Sequence, residues 1–362
     1  MEKTLSSEGL VKSNRAEQIQ FLRFLAFLNV FIAHGEVYLF FRYPASHCAG
    51  AAVSFFFMLS GLVSSYSLYG REIRLGWREQ GRFLWKKVGK VYPLYFLTSA
   101  FCFLFYVLPG ILASGSLEPL RGHAWPVLAN LLMIQTWVKV DSYNAVAWFL
   151  ATLMFLYPAV LPGMAVLKNL GKRKFPVIWL GAAFFLLTVW ITGYCRFTWP
   201  LDMEYWQYHL PLGRLPEFLM GMILGYGVRY VMPYVEGWKI GKVLPTVLEI
   251  GALCFWVFSL TRPGNYWMNR IVSWIIPNTV VLTVFALGKG WVSDCFRWKP
   301  LVRLGDISFT CFLVHNILIV RYVLNNPGLP ESLPGKAVPF MTCLVLTVMM
   351  SLSLTPKKKN DK

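Results

Sequence analysis

Residues 18–41 read QIQFLRFLAFLNVFIAHGEVYLFF, and this stretch decides the fold. It is long enough and apolar enough to cross the ~30 Å hydrocarbon core of a bilayer as a helix. Yet it carries Arg23 and His34. An ionisable residue inside a membrane span costs at least a few kcal/mol, so it faces protein or water and marks a functional pathway. The two residues are eleven positions apart. At 100° per residue that is within about 20° of three full turns, so both belong to one helix face, about 16 Å apart along the axis. Such a pair is too far apart for a salt bridge and reads as two stations along one channel.

The rest of the chain agrees. Of its 362 residues 56% are hydrophobic and 17% aromatic, and only 14% are charged, where a soluble domain has about 25% charged. Further apolar segments lie near 48–70, 91–113, 145–167, 175–194, 209–228, 244–260, 271–288, 304–325 and 338–355. The expected fold is an all-α polytopic membrane protein of about ten transmembrane helices. A shorter stretch, Ala124–Val138 (AWPVLANLLMIQTWV), is too short to span comfortably and is expected to be re-entrant or interfacial. The domain reading is an amino-terminal tail over 1–17, one transmembrane domain over 18–355, and a basic tail over 356–362.

The net charge of +18 does not point to nucleic acid, since no basic stripe is interleaved with aromatics in a soluble module. It follows loop topology instead. Of the 35 Lys and Arg, three precede residue 18, seven fall in 71–90, four in 168–174, three in 229–242, four in 289–303 and four in the tail. With ten spans all of these lie on one side, which the positive-inside rule makes the cytoplasm, and both termini lie there too. Arg23 then sits toward the cytoplasmic leaflet and His34 past the midplane. The seven cysteines are scattered, and no Cys or His spacing suggests a metal site.

Several other residues invite two readings. Lys86, Lys87 and Lys90 lie in the basic 71–90 segment, and Lys86 and Lys90 share a helix face able to hold phosphates as point charges. Topology determination and contact with anionic lipid head groups explain them equally simply. The run Phe55–Gly61 (FFFMLSG) has small residues suited to close helix packing. Pro211 and Pro216 flank Arg214, and Glu217 follows Arg214 by three residues, a spacing suited to a buried ion pair. The pair either lines a polar cavity or holds helices together. His315 shares a face with Ser308 deep in apolar sequence, and a satisfied core histidine is the plainer reading there. Asp306 suits a helix cap. His47, His123 and His209 sit near segment ends, where a solvated surface is expected.

Taken together, these segments resemble the acyltransferase-3 family of integral membrane O-acyltransferases, which modify bacterial surface glycans. The matching pieces run in order. They are Arg23-x10-His34, FFFMLSG at 55–61, FLWKKVGKVYPLY at 83–95, AWFLATLMFLYP at 147–158, RLPEFLMGMILG at 214–225 and GDISFTCFLVHN at 305–316. The resemblance implies transfer of an acyl group, often acetyl, from acyl-CoA to a hydroxyl of a saccharide or lipid-linked glycan. The setting would be the bacterial inner membrane, among membrane lipids. It implies a catalytic role for His34, with Arg23 as its partner in donor binding or activation. Lys86, Lys87 and Lys90 would hold the nucleotide phosphates of the CoA donor, a substrate and not a resident cofactor. Arg214, Glu217, Ser308, His315 and Trp148 are candidates for lining the substrate channel. General-base catalysis by His34 and a transient acyl-histidine are both compatible with the sequence. The alternative from another class is a transporter or flippase using the same polar residues; the two halves of the chain show no convincing internal repeat.

Overall fold

The computed structural model describes residues 16–39, 49–116, 118–173, 176–237, 241–260, 272–326 and 333–356. Nearly all of the terminal tails, together with His47 and Cys48, lie outside these residues. Among the described residues there are helices and turns but no strand. The helices are α1 Gln18–Leu39, α2 Ala49–Leu68, α3 Trp77–Ala113, α4 Glu118–Leu131, α5 Ala145–Lys172 and α6 Ile178–Thr198. They continue as α7 Pro211–Gly237, α8 Val243–Leu260, α9 Val272–Leu287, α10 Trp291–Phe296, α11 Lys299–Asn325 and α12 Leu333–Leu354.

Each of the ten expected apolar segments coincides with a long helix. Eight of these helices are long and apolar enough to cross a membrane. The other two are α1, interrupted by Gln18, Gln20, Arg23, Asn29 and His34, and α9, a 16-residue apolar helix. The chain is therefore a multi-pass membrane protein. The short segment differs in register from the expectation. Its helix runs from Glu118 to Leu131, earlier than the apolar stretch that marks it, and 132–144 is a chain of turns. At 14 residues it is about 21 Å long and does not span. Met133 and Lys139 adopt left-handed backbone in the turns (φ 57° and 53°). Hydrogen bonds from Asn130 to the Asp141 carbonyl, and from Gln135 to Tyr95 and Ser142, tie this stretch down.

Two helix pairs form the centre, α1 with α11 and α2 with α7. Glycine explains how closely they approach. A Cβ on Gly61, Gly221 or Gly225 would run into the carbonyls of Phe218, Met58 and Leu62 respectively, so α2 and α7 touch backbone to backbone. Gly221 and Gly225 make a G-x-x-x-G stripe, which permits such contact. Likewise a Cβ on Gly305 of α11 would strike the Gln20 carbonyl of α1. Around this centre the helices turn their apolar faces outward. Only 17% of the apolar window of α6 or α8 is buried in protein, against 67% for α2. Exposed Leu186, Trp190, Val247 and Phe258 are what a lipid-facing surface presents.

Candidate functional site

Helix α1 carries Arg23 and His34 to two different cavities. The first, about 340 Å³, is lined by Arg23 and Gln20 of α1, Ser60 of α2, Lys87 and Lys90 of α3, Tyr157 of α5 and Ser308 of α11. Arg23 donates from Nη1 to Gln20 Oε1 at 3.0 Å. Lys87 donates to Ser64 Oγ at 3.2 Å, and its ammonium lies 4.5 Å from the centre of the Tyr157 ring. Three cations thus share one cavity whose remaining lining is mostly apolar. In low dielectric such an arrangement attracts an anion strongly. Lys86 is exposed and does not line this cavity. The pair that faces it is Lys87 and Lys90, three residues apart on α3. Ser308 is at the wall, but its hydroxyl donates to the Gly305 carbonyl at 2.8 Å.

The second cavity, about 220 Å³, is lined by His34, Val30, Trp148, Glu204, Tyr208, His209 and Asn316 among others. Its wall includes irregular backbone. A π-helical turn over Glu204–His209 ends at Leu210, whose extended conformation (ψ 133°) breaks the chain before Pro211 opens α7. Non-helical backbone at membrane depth is tolerated where it lines a cavity, as here. The freed His209 carbonyl accepts from Thr152 Oγ1 at 2.6 Å, and Trp148 packs edge-on against the His209 ring at 4.5 Å. His209, expected on a solvated surface, belongs to this wall. So do Glu204, which no sequence motif marked, and Asn316, which closes the GDISFTCFLVHN stretch without a role assigned to it.

Phe312 lines both cavities. Its ring meets Phe56 at 6.0 Å and Phe149 at 5.4 Å, and those two meet each other at 6.0 Å. Phe312 of α11 therefore stands where the cavities adjoin, packed against Phe56 of α2 and Phe149 of α5, which line the Arg23 cavity. Arg23 is on one side of this partition and His34 on the other.

His34 is not alone. Its Nδ1 lies 2.7 Å from Nε2 of His315, the rings nearly parallel with centres 5.0 Å apart. His315 is fully buried, and its Nδ1 faces the carbonyls of Phe312 at 2.7 Å and Cys311 at 3.2 Å. Phe27 and Phe31 of α1 pack around it. The histidine read as a satisfied core residue is thus satisfied partly by His34.

Arg214 and Glu217 pair at 2.9 Å, both with no exposure. Glu217 also accepts from Ser54 Oγ of α2 at 2.7 Å. Arg214 donates from Nε to the Tyr208 carbonyl at 3.0 Å and lies 4.3 Å from the Tyr208 ring centre. Neither charged residue lines either cavity; the pair stands behind the wall that Tyr208 forms. Among the described residues no group of three His, Cys, Asp or Glu side chains comes together to hold a metal ion.

A family model described as an acyltransferase domain matches residues 17–355. Acyltransferase MdmB of Streptomyces mycarofaciens is 24% identical over 328 residues, covering 83% of this chain and 78% of that protein. Nose resistant to fluoxetine protein 6 of Caenorhabditis elegans is 21% identical over 333 residues, covering 77% of this chain and 40% of that protein. No solved structure matches. The matched region takes in all the membrane helices, both cavities and the partition between them: the chain belongs to the acyltransferase-3 family, and it is a membrane acyltransferase.

Proposed function

We propose that this protein moves an acyl group, acetyl in the first instance, from acyl-CoA to a hydroxyl of a cell-surface or lipid-linked saccharide. We place it in a bacterial inner membrane with both termini cytoplasmic. The observation that carries the reading is the division of α1 between two cavities. One holds Arg23 with Lys87 and Lys90, the other holds His34, and Phe312 is common to both.

The chemistry follows from that division. CoA is long and polyanionic, and a cavity with three cations is suited to its phosphates. The distribution of loop charges supports an orientation with this cavity toward the cytoplasm, where CoA is made. The thioester end is then directed along α1 toward the aromatic partition. On the far side, the acceptor hydroxyl attacks the thioester carbonyl while the neutral His34 imidazole takes its proton. The C–O bond forms, the C–S bond breaks, and the proton on His34 passes to the departing thiolate. Ester and free CoA leave. Trp148 and Asn316 line the space in which the acceptor would stand. Lys86 remains, in this reading, a topology determinant on the exposed side of α3.

Purified protein in detergent or nanodiscs, given labelled acetyl-CoA and candidate glycan acceptors, tests the proposal. Labelled glycan and free thiol should appear together and depend on His34. Mass spectrometry of surface glycans from producing cells tests it independently. If acylation persists unchanged in a His34→Ala strain, the assignment of His34 fails.

A further inference from the structure

His34 and His315 meet nitrogen to nitrogen, and the geometry points to a role for His315 that His34 cannot fill alone. We propose that His315 is a positioning residue that holds His34 in its Nδ1–H tautomer, making His34 Nε2 the base. This rests on the reading of His34 as the group that takes the acceptor's proton.

The argument is one of donors and acceptors. His315 Nδ1 lies 2.7 Å from the Phe312 carbonyl and 3.2 Å from the Cys311 carbonyl. Carbonyl oxygens only accept, so this nitrogen carries the hydrogen. Both carbonyls belong to the helix on which His315 sits, three and four residues back, so the preference is built into α11 and does not depend on a ligand. A neutral His315 with hydrogen on Nδ1 has its lone pair on Nε2. That lone pair is 2.7 Å from His34 Nδ1. The short contact is a hydrogen bond only if His34 Nδ1 donates. The His34 hydrogen is then committed to His315, and Nε2 is left as its basic nitrogen. When that nitrogen takes a proton, the imidazolium still donates from Nδ1 to the same acceptor, so its orientation is kept through the step. This is the logic by which a second group fixes the tautomer of a catalytic histidine, here performed by an imidazole and two backbone carbonyls where a carboxylate more commonly serves.

The structure supports the pair mechanically. Phe31 and Phe27, one and two turns before His34 on α1, pack their rings around His315 at 6.1 and 5.6 Å. Phe312, which supplies the nearer carbonyl, also forms the wall between the cavities. His34 is partly exposed to its cavity, whereas His315 is fully buried and lines neither cavity. The reacting groups therefore meet His34, and His315 acts only through it.

The test has two arms. In the kinetic arm, His315→Leu removes the acceptor while His315→Gln keeps a carbonyl oxygen to receive the His34 hydrogen. His315→Leu should lower kcat on the order of a hundredfold with the KM for acetyl-CoA unchanged, and His315→Gln should recover most of the loss. A merely structural role predicts no such split between kcat and KM and no rescue by Gln. In the second arm, ¹⁵N-histidine NMR of the intact protein in nanodiscs reads the tautomer directly, with the His34 resonances identified by their loss in His34→Gln. The proposal expects a protonated Nδ1 and an unprotonated Nε2 in wild type, and a mixture in His315→Leu. A wild-type His34 protonated on Nε2, or a folded His315→Leu with full kcat, overturns it. The NMR arm needs no turnover, so failure of the acyl-transfer reading and failure of the tautomer assignment remain separate results.

Discussion

The two central helix pairs each bury a polar cluster, and they use it in opposite ways. Between α1 and α11 the cluster is His34 with His315, open on one side to a 220 Å³ cavity. Between α2 and α7 it is Ser54, Glu217 and Arg214, sealed from both cavities and fully buried. Burial costs are similar in kind for both. What differs is access, and access separates a group that can meet a substrate from one that can only hold helices. A buried ion pair gains little over well-packed apolar residues, but breaking it leaves an uncompensated charge. A histidine pair open to a cavity keeps one nitrogen for chemistry. The contrast also shows in the backbone, because the sealed cluster sits beside the glycine contacts of α2 and α7, where the helices cannot slide.

The comparison breaks most visibly at His34. Replacing it with alanine should lower kcat for acyl transfer by about 10² to 10⁴, the usual contribution of a positioned general base. Donor affinity and thermal stability should hardly change. At the sealed cluster the pattern should invert. Glu217→Ala strands the Arg214 guanidinium in the protein interior, at a cost of about 3–5 kcal/mol. The melting temperature and the yield of folded protein should fall, while the fraction that folds keeps near-normal kcat. Thermal unfolding and turnover per folded molecule, measured on both variants, decide the matter. A folded Glu217→Ala with lost kcat would merge the two clusters into one functional unit.

How far the sequence carries depends on whether a feature is local. Hydrophobic blocks and loop charges are local, and every long apolar block did become a helix. The helix before Leu131 begins earlier than its apolar stretch because hydropathy marks an apolar centre; Arg121 and His123 belong to the same helix without contributing to that signal. Arg23 and His34 stand out because each is costly where it is. His315 is buried more deeply than either, but its meaning depends on a contact 281 positions away, which no spacing rule reaches. The same holds for Phe312. Inside GDISFTCFLVHN it reads as one more apolar residue, and only the meeting of α2, α5 and α11 makes it the wall between two cavities. The G-x-x-x-G at Gly221 and Gly225 is a local pattern that begins one helical turn beyond Glu217.

The aromatic partition offers a smaller effect that sharpens the division between cavities. Phe312→Leu should loosen the shared wall and admit water to the thioester. Acetyl-CoA hydrolysis without acceptor should then rise about tenfold, since exclusion of water is what protects a reactive acyl group. Thiol release measured with and without glycan gives the ratio. Unchanged hydrolysis would mean that Phe312 is packing and that the cavities are separated by other means.

The finest distinction lies within one turn of α3. Lys86 and Lys87 are adjacent in sequence and alike in chemistry, but only Lys87 lines the cavity with Arg23. If the cavity binds the donor's phosphates, Lys87→Ala should raise the KM for acetyl-CoA about tenfold, or about 1.4 kcal/mol of donor binding, with kcat little changed. Lys90→Ala should act in the same direction. Lys86→Ala should leave KM within about twofold, because its charge lies outside the cavity and is screened by salt and water. Steady-state kinetics of the three variants at one ionic strength compares them directly. Equal effects at Lys86 and Lys87 would point to the general positive field of the 71–90 segment. A large effect at Lys87 and Lys90 but not at Lys86 would tie donor recognition to the cavity that α1 opens with Arg23, one station before His34.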